Sequence, residues 1–224
     1  MMATTLAFDV YGTLIDTQGV LNKLREYMGE QAAPFSQAWR DKQLEYSFRR
    51  GLMQNYQNFA LCTAQALDYC CQVFRVPLTE QQKQSLLAIY KVLPAHPEAK
   101  QALAGLQQAG FRLYAFSNGE QAAVELLLET AEIRPFFSAV VSVDEVKSFK
   151  PDPAVYQHFL NKTQSQAKDT WLVSSNPFDV TGAVSAGWQA AWVQRSPTAL
   201  FDPWELAPTV TITSLLDLAE VLPG

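Results

Sequence analysis

Short apolar segments alternate with stretches of helical periodicity along most of this chain, and that alternation leaves few folds open. The apolar segments predict buried strands at Thr5–Val10, Phe111–Ser117, Ser138–Val143, Thr170–Ser174 and Trp188–Val193, with a possible short strand at Val210–Ile212. Asp152-Pro153 and Asn176-Pro177 each supply a cap and a first-turn proline where a helix is expected to begin. Strands that alternate with helices predict an α/β fold, a Rossmann-like doubly wound parallel sheet.

One interval, from about Ile15 to Lys91, does not follow this alternation. It contains three or four helical stretches and no convincing strand, so we expect a helical cap inserted after the first strand. Open α/β sheets bind ligands beyond the carboxyl ends of their strands, and an insertion at this point can cover that edge. The sequence therefore predicts an α/β core domain formed by residues 1–14 and 92–224, and a helical cap subdomain formed by residues 15–91.

Composition and charge exclude several classes of protein. Of the 224 residues, 48% are hydrophobic and 17% are charged, which excludes an intrinsically disordered chain. The net charge of -5 and the lack of a Lys/Arg block argue against binding to nucleic acid. No apolar run approaches the roughly 20 residues of a membrane-spanning helix, and the start of the chain has no signal-peptide pattern. The expected location is therefore cytoplasmic, with no membrane partner.

Polar residues follow the predicted strands at their carboxyl ends. The first strand ends in Asp9-Val10-Tyr11-Gly12-Thr13, the second ends in Ser117-Asn118-Gly119, Lys150 follows the third, and the fourth ends in the segment Ser174–Asp179. Each residue alone has an ordinary structural explanation as a cap, a turn residue or a solvated lysine. In a doubly wound sheet, however, these segments converge on one crevice. Together they supply two carboxylates, a cation, hydroxyls and amides, a set that suits covalent catalysis by a carboxylate.

The order of these segments resembles the haloacid dehalogenase superfamily. Its first motif is a strand ending in DxxGTL, which stands here as Asp9–Leu14; Ser117, Lys150 and the segment closing on Asp179 match the other three. Most members are magnesium phosphatases, which need a second Asp where this chain has Tyr11 and acidic metal ligands where it has Ser174-Ser175-Asn176. Because carboxylates best offset the dehydration of Mg²⁺, these departures argue against phosphoryl transfer. We predict no metal and no cofactor.

The departures resemble one branch, the type II L-2-haloacid dehalogenases. The stretch Trp39–Tyr46, which contains Arg40, is similar to the arginine-bearing cap helix of that branch, and so are the segments around Ser117, Lys150 and Asp179. The resemblance implies an (S)-2-haloacid dehalogenase that hydrolyses L-2-haloacids to D-2-hydroxy acids and halide. It also implies that the partners are a small 2-halocarboxylate substrate and a second copy of the chain in a homodimer.

The resemblance implies a role for each of the main site residues. Asp9 attacks the α-carbon of the substrate in line and forms an aspartyl ester, which water then hydrolyses. Asp179, with Lys150, activates or places that water. Arg40 and Asn118 receive the departing halide.

The resemblance assigns supporting roles to the remaining residues. Tyr11 helps to receive the halide, and Ser117 binds the substrate carboxylate together with backbone N–H groups near Asn118-Gly119. The others orient the Asp9 carboxylate (Thr13, Ser174 and Asn176), hydrogen-bond near Lys150 or Asp179 (Tyr156), or form an apolar wall around the substrate (Leu44, Phe59 and Phe178).

Two departures leave the size of the substrate and the identity of the halogen open. Asp41 could pair with Arg40 and weaken halide capture, or could point away from it, and Phe178 replaces the larger Trp of some relatives. Three alternatives also stay open: a dehalogenase that acts on fluoroacetate, a phosphatase with a relaxed metal site, and a member of the fold that binds small carboxylates without turnover.

Overall fold

A parallel sheet of six strands, β1 to β6, lies at the centre of the computed structural model, which describes residues 4–222. The strands are Thr5–Phe8, Arg112–Ser117, Ala139–Ser142, Thr170–Ser174, Gln189–Val193 and Val210–Ile212. They lie in the order β3-β2-β1-β4-β5-β6, and each neighbouring pair is parallel. This is the doubly wound order, and it confirms the predicted fold class.

The α-helices of the described residues are numbered α1 to α9 along the chain. They span Gln18–Met28, Ala32–Leu52, Phe59–Phe74, Glu80–Ile89, Ala99–Gln108, Gln121–Thr130, Pro153–Thr163, Pro177–Ser185 and Leu218–Val221. Short 3-10 segments stand at Gly29–Gln31, Arg134–Phe136, Val143–Val146, Ala167–Asp169 and Leu215–Asp217. The helices α1 to α4, here called the inserted helices, lie between β1 and α5. Within residues 4–222, no helix is both long and apolar enough to cross a membrane.

The division into core domain and cap subdomain stays a prediction, although the inserted helices fall inside the expected interval. Residues 1–3 and 223–224 of that division lie outside the described residues. The inserted helices share an apolar cluster with one face of the sheet, to which Phe35 and Trp39 of α2 contribute beside Phe8 of β1. A second cluster, which includes Phe116 and Phe159, covers the other face. Burial of such side chains stabilises the fold by about 1.5–3 kcal/mol each.

The end of β1 positions the first motif. The strand stops at Phe8, two residues earlier than predicted, because the chain turns back on itself immediately afterwards. The carbonyl of Val10 accepts hydrogen bonds from the backbone N–H groups of Thr13, Leu14 and Ile15. Gly12 takes a φ of 81°, which an L side chain adopts only with strain. This tight loop leaves Asp9 at the point where the strand order reverses between β1 and β4.

Candidate active site

Asp9 lies at the carboxyl edge of the sheet with both of its carboxylate oxygens hydrogen-bonded. Its backbone N–H donates to the carbonyl of Val173 at 3.0 Å and so continues the ladder between β1 and β4. Oδ2 accepts from Thr13 Oγ1 at 2.8 Å, Asn176 Nδ2 at 2.7 Å and Ser174 Oγ at 3.3 Å. Oδ1 accepts from Lys150 Nζ at 3.2 Å. The two oxygens are therefore unlike: three neutral donors hold one, and a single cation faces the other.

Lys150 places a buried positive charge between the two carboxylates of the site. Its side chain is 1% exposed, and Nζ lies 3.2 Å from Asp9 Oδ1 and 2.7 Å from Asp179 Oδ2. Nζ also donates to the carbonyl of Phe116 at 2.8 Å. These three acceptors match the three hydrogens of an ammonium group, so the charge is both paired and fully hydrogen-bonded.

Asp179 combines complete burial with two hydrogen-bond donors. It lies in the first turn of α8, where Oδ2 accepts from Lys150 and Oδ1 accepts from the Tyr156 hydroxyl at 2.9 Å. Burial raises the pKa of this carboxyl to about 6; Lys150 opposes the rise, and the negative charge of Asp9 adds to it. Burial also raises the pKa of Tyr156 well above its ordinary value, so the phenol stays a donor. Asp179 can therefore gain or lose a proton near neutral pH, as a general base must.

Ser117 ends β2 and Asn118 follows it, both at the same edge of the sheet. The Asn118 side-chain oxygen accepts from the backbone N–H of Lys150 at 3.0 Å, which leaves its NH₂ group as the donor available to a ligand. The Ser117 hydroxyl oxygen accepts from the backbone N–H of Gly119 at 3.1 Å. We expected backbone N–H groups near Asn118-Gly119 to bind the substrate carboxylate, and the Gly119 N–H of that region is already paired with Ser117.

A cavity of about 550 Å³ separates this edge of the sheet from the inserted helices. Asn176, which donates a hydrogen bond to Asp9, lines the cavity on the side of the sheet. All four inserted helices contribute to the lining of the cavity. The residues are Val20 of α1; Ser36, Arg40 and Gln43 of α2; Phe59, Ala60 and Thr63 of α3; and Gln84, Leu87 and Ala88 of α4. A volume of this size suits a small organic ligand with room to spare.

Of the three residues predicted for the apolar wall, the structure brings only Phe59 to the cavity. Leu44 and Phe178 are not among the lining residues, and neither are Asp9 and Ser117, so the contribution of Leu44 and Phe178 to an apolar wall stays a prediction. Leu44 lies one turn beyond Arg40 on α2 and packs against the second apolar cluster. The Phe178 ring packs edge-on against Phe48, with 5.3 Å between the ring centroids. The contact between Phe48 and Phe178 therefore supports the junction of α2 with α8.

Arg40 reaches from α2 across the cavity towards the strand ends. Its Nη1 donates to Gln43 Oε1 at 2.8 Å, and its Nη2 donates to Asn176 Oδ1 at 3.2 Å. Asn176 therefore connects Arg40 to Asp9, since its NH₂ group donates to the carboxylate. Asp41 points away from the site: it is exposed, and its Oδ1 accepts from Gln37 at 2.8 Å. Of the two possibilities left open for Asp41, the structure therefore has the one in which Asp41 points away from Arg40.

Most of the lining residues were not predicted from the sequence, and two of them, Gln43 and Tyr90, lie next to predicted site residues. Gln43 stands three residues after Arg40, a spacing at which helical side chains meet, so a systematic search of α2 would have found it. Tyr90 follows α4 and lies against Tyr11, with 6.0 Å between the ring centroids. Burial raises the pKa of both tyrosines to about 12, so both phenols stay protonated near neutral pH. No local pattern marks Tyr90, because only the packing of α4 against α1 and α3, and of the Tyr90 ring against Trp39, brings it here.

The carboxylates do not form a metal-binding cluster. Across residues 4–222, no three His, Cys, Asp or Glu side chains come close enough together to hold a metal ion. The two acidic residues of the site both face Lys150, whose charge occupies the position between them.

Comparison with known proteins gives one consistent result. A family model described as haloacid dehalogenase-like hydrolase matches residues 3–187. The chain is 34% identical over 207 residues to haloacetate dehalogenase H-2 of Moraxella sp. (strain B), with 92% of each protein covered. It is 34% identical over 217 residues to (S)-2-haloacid dehalogenase 2 of Pseudomonas sp. (strain CBS-3), covering 97% of this chain and 94% of that protein. The solved structure of the L-2-haloacid dehalogenase from Xanthobacter autotrophicus with chloropropionic acid covalently bound superimposes with a TM-score of 0.90 at 29% identity, covering 99% of this chain and 100% of that one.

Proposed function

The chain belongs to the haloacid dehalogenase-like hydrolase family, and we propose that it is an (S)-2-haloacid dehalogenase that converts L-2-haloacids to D-2-hydroxy acids and halide. One observation carries the proposal: Asp9 is held by three donors on one oxygen and by Lys150 on the other, beside a cavity that Arg40 enters. The near full-length similarity to proteins named for this activity supports the substrate class.

In the first step, Asp9 Oδ1 attacks the α-carbon of the halocarboxylate from the side opposite the halogen. Oδ2 already accepts three hydrogen bonds, whereas Oδ1 accepts one and keeps lone-pair density for attack. The C–O bond forms as the carbon–halogen bond breaks, which inverts the carbon and leaves an aspartyl ester. The halide leaves with the bonding electron pair towards Arg40 and the Asn118 NH₂ group, with Tyr11 beside them. Arg40 has five N–H donors, of which Gln43 and Asn176 engage two.

In the second step, water attacks the carbonyl carbon of the ester. Because Oδ1 now carries the alkyl group, negative charge develops on Oδ2, where Thr13, Ser174 and Asn176 already donate. Such prepositioned donors are each worth about 10²–10³-fold in rate. Asp179 takes one proton from the water, while Lys150 and Tyr156 hold Asp179 in place. Collapse of the intermediate breaks the bond between Cγ and Oδ1, and the departing alkoxide takes up the proton from Asp179 and leaves as the hydroxy acid. The second proton of the water is released to solvent as Asp9 returns to a carboxylate.

The side chains around Asp9 favour dehalogenation over the metal-dependent hydrolysis of a phosphate ester. Mg²⁺ requires several hard oxygen ligands, yet Tyr11 stands where a second Asp would be, and both site carboxylates are engaged by Lys150. We therefore propose a metal-independent reaction. The intact arrangement of Asp9, Lys150 and Asp179 also argues against a role limited to binding. The homodimer and the cytoplasmic location stay predictions, and light scattering of the purified protein tests the first.

The test is halide release from L- and D-2-chloropropionate in the presence of EDTA. We expect chloride from the L-form alone, and none from Asp9→Asn. Release that needs Mg²⁺, or phosphate release from a generic ester in place of halide release, would move the protein to the phosphatase branch. Fluoroacetate in the same assay determines whether fluoride, the poorest leaving group, is also displaced.

A further inference from the structure

The proposed departure of the halide requires the Arg40 guanidinium to be held in a fixed position. A donor stabilises a leaving anion best when it is fixed before the bond breaks, because no reorganisation is then needed during the reaction. The arginine side chain is long, and ordering it costs up to about 2 kcal/mol of rotamer entropy. Its contact with Asn176 comes from the sheet side, so a second contact from the inserted helices is needed to fix the plane of the guanidinium.

Gln43 and Thr63 provide that second contact through a chain of hydrogen bonds with a defined direction. The Thr63 hydroxyl donates its single hydrogen to the carbonyl of Phe59 at 2.9 Å, so Thr63 Oγ1 can only accept from other groups. Gln43 Nε2 donates to that oxygen. The amide of Gln43 is thereby oriented with its carbonyl oxygen towards Arg40 Nη1, 2.8 Å away. The reverse orientation would set two donors against each other.

Burial and placement make this chain different from a surface contact. Gln43 is 2% exposed and Thr63 is 6% exposed, yet both line the cavity beside Arg40. Arg40 is consequently held on one side by Gln43 and on the other by Asn176, which also donates to Asp9. The position of the leaving-group donor is thus set relative to the nucleophile.

We propose that Gln43 and Thr63 are positioning residues that fix Arg40 for departure of the halide, an inference that rests on the proposed dehalogenation. A buried pair that only joined α2 to α3 would stabilise the fold without affecting one substrate more than another. A pair that fixes Arg40 must affect the rate most for the substrate whose leaving group depends most on stabilisation by Arg40. Chloride is a poorer leaving group than bromide, so its displacement depends more on that donor.

The first test is Gln43→Met, which keeps the length of the side chain and removes the acceptor. The parameter to measure is kcat/KM for L-2-chloropropionate and L-2-bromopropionate, because it reports the steps up to halide loss and not hydrolysis of the ester. We expect a fall of about 10–100-fold for the chloride and a fall at least about 3-fold smaller for the bromide. Gln72→Met, the same change at an exposed position of α3, is the matched control and leaves both values unchanged.

Thr63 supplies a second pair of variants in case Gln43→Met folds poorly. Thr63→Val removes the hydroxyl at constant shape and is expected to show the same selective loss for chloride, whereas Thr63→Ser keeps the hydroxyl and restores the rates. Equal losses for both substrates, or no loss with either residue changed, would overturn the inference.

A readout independent of turnover separates this inference from the proposed function. Iodide binding to the unliganded protein, measured by calorimetry, is expected to weaken at least about 5-fold in Gln43→Met and to be unchanged in Gln72→Met. If the wild-type protein releases no halide from either substrate, the proposed function fails. The iodide comparison then still decides whether Gln43 fixes Arg40, and equal affinities in wild type and Gln43→Met would contradict it.

Discussion

Replacing Asp179 with Asn should make the protein more stable at neutral pH while stopping the reaction at the ester. The structure accommodates the change: the amide oxygen can accept from Lys150, and the NH₂ group can donate to the Tyr156 oxygen. The Tyr156 hydroxyl can then donate to the backbone carbonyl of residue 179, which lies 3.1 Å away. Shape and hydrogen bonding are kept, and one buried negative charge is lost.

The pKa of Asp179 sets the size and the sign of the stability change. Burial raises this pKa to about 6 from the ordinary 3.8. Between these two values the folded protein holds a proton that the unfolded chain has released, so the stability due to this group is fully present below pH 3.8 and is lost as pH rises through 6. At about 1.4 kcal/mol per pH unit, the ionised carboxyl costs about 3 kcal/mol at pH 7.

We therefore expect Asp179→Asn to exceed the wild type by about 3 kcal/mol in free energy of unfolding at pH 7, and to equal it near pH 4. Urea titrations of both proteins across this range measure the difference, and Asp202→Asn at an exposed position is the control with no pH-dependent gain. In parallel, the variant should release one chloride per active site and gain the mass of the 1-carboxyethyl group bound to Asp9 through the ester. A stability difference that stays constant between pH 4 and 7, or a more stable wild type at pH 7, would refute the reasoning.

Other substitutions have expected outcomes that follow from the same contacts. Tyr156→Phe removes a donor that lowers the pKa of Asp179, so the acid limb of the kcat–pH profile should move to higher pH. Gly182→Ala should lower the free energy of unfolding by about 1–3 kcal/mol in urea, because its Cβ would lie 2.7 Å from Pro151 Cβ and would also clash with the Tyr156 hydroxyl. Gly105→Ala in α5 meets no neighbour within 4 Å and should raise the same free energy by about 0.5–1 kcal/mol.

The sequence determines much of the sheet because its signals are local. Two predicted strands, Thr170–Ser174 and Val210–Ile212, have the predicted bounds, and α7 begins at Pro153 with Asp152 as its cap. Caps, prolines and apolar runs act over a few residues, so they can be recognised without the rest of the fold. The early end of β1 was missed because it depends on the loop through Gly12 and on the hydrogen bonds to Val10.

The site residues likewise divide into those that local sequence signals could place and those that they could not. Residues that follow strands could be placed together from topology alone, because the carboxyl ends of parallel strands meet at one edge. The structure accordingly brings Asp9, Lys150 and Asp179 into contact. Residues of the inserted helices could not be placed in this way, because the angle at which α2 meets the sheet decides which of its side chains reach the cavity. For that reason, Leu44 does not line the cavity. Tyr90 was missed because it follows α4 and reaches the cavity through contacts with Tyr11 and Trp39 that are distant in sequence.

Asn176 shows why local rules fail at such a site. The sequence predicts that it caps α8, and it occupies that position, yet its side chain makes no capping hydrogen bond. An amide has one oxygen and one NH₂ group, and here the oxygen accepts from Arg40 while the NH₂ group donates to Asp9. Capping would require the oxygen to turn towards the N–H groups of the helix and release Arg40. The helix therefore forgoes about 1 kcal/mol of capping free energy, and the side chain instead links the leaving-group donor to the nucleophile.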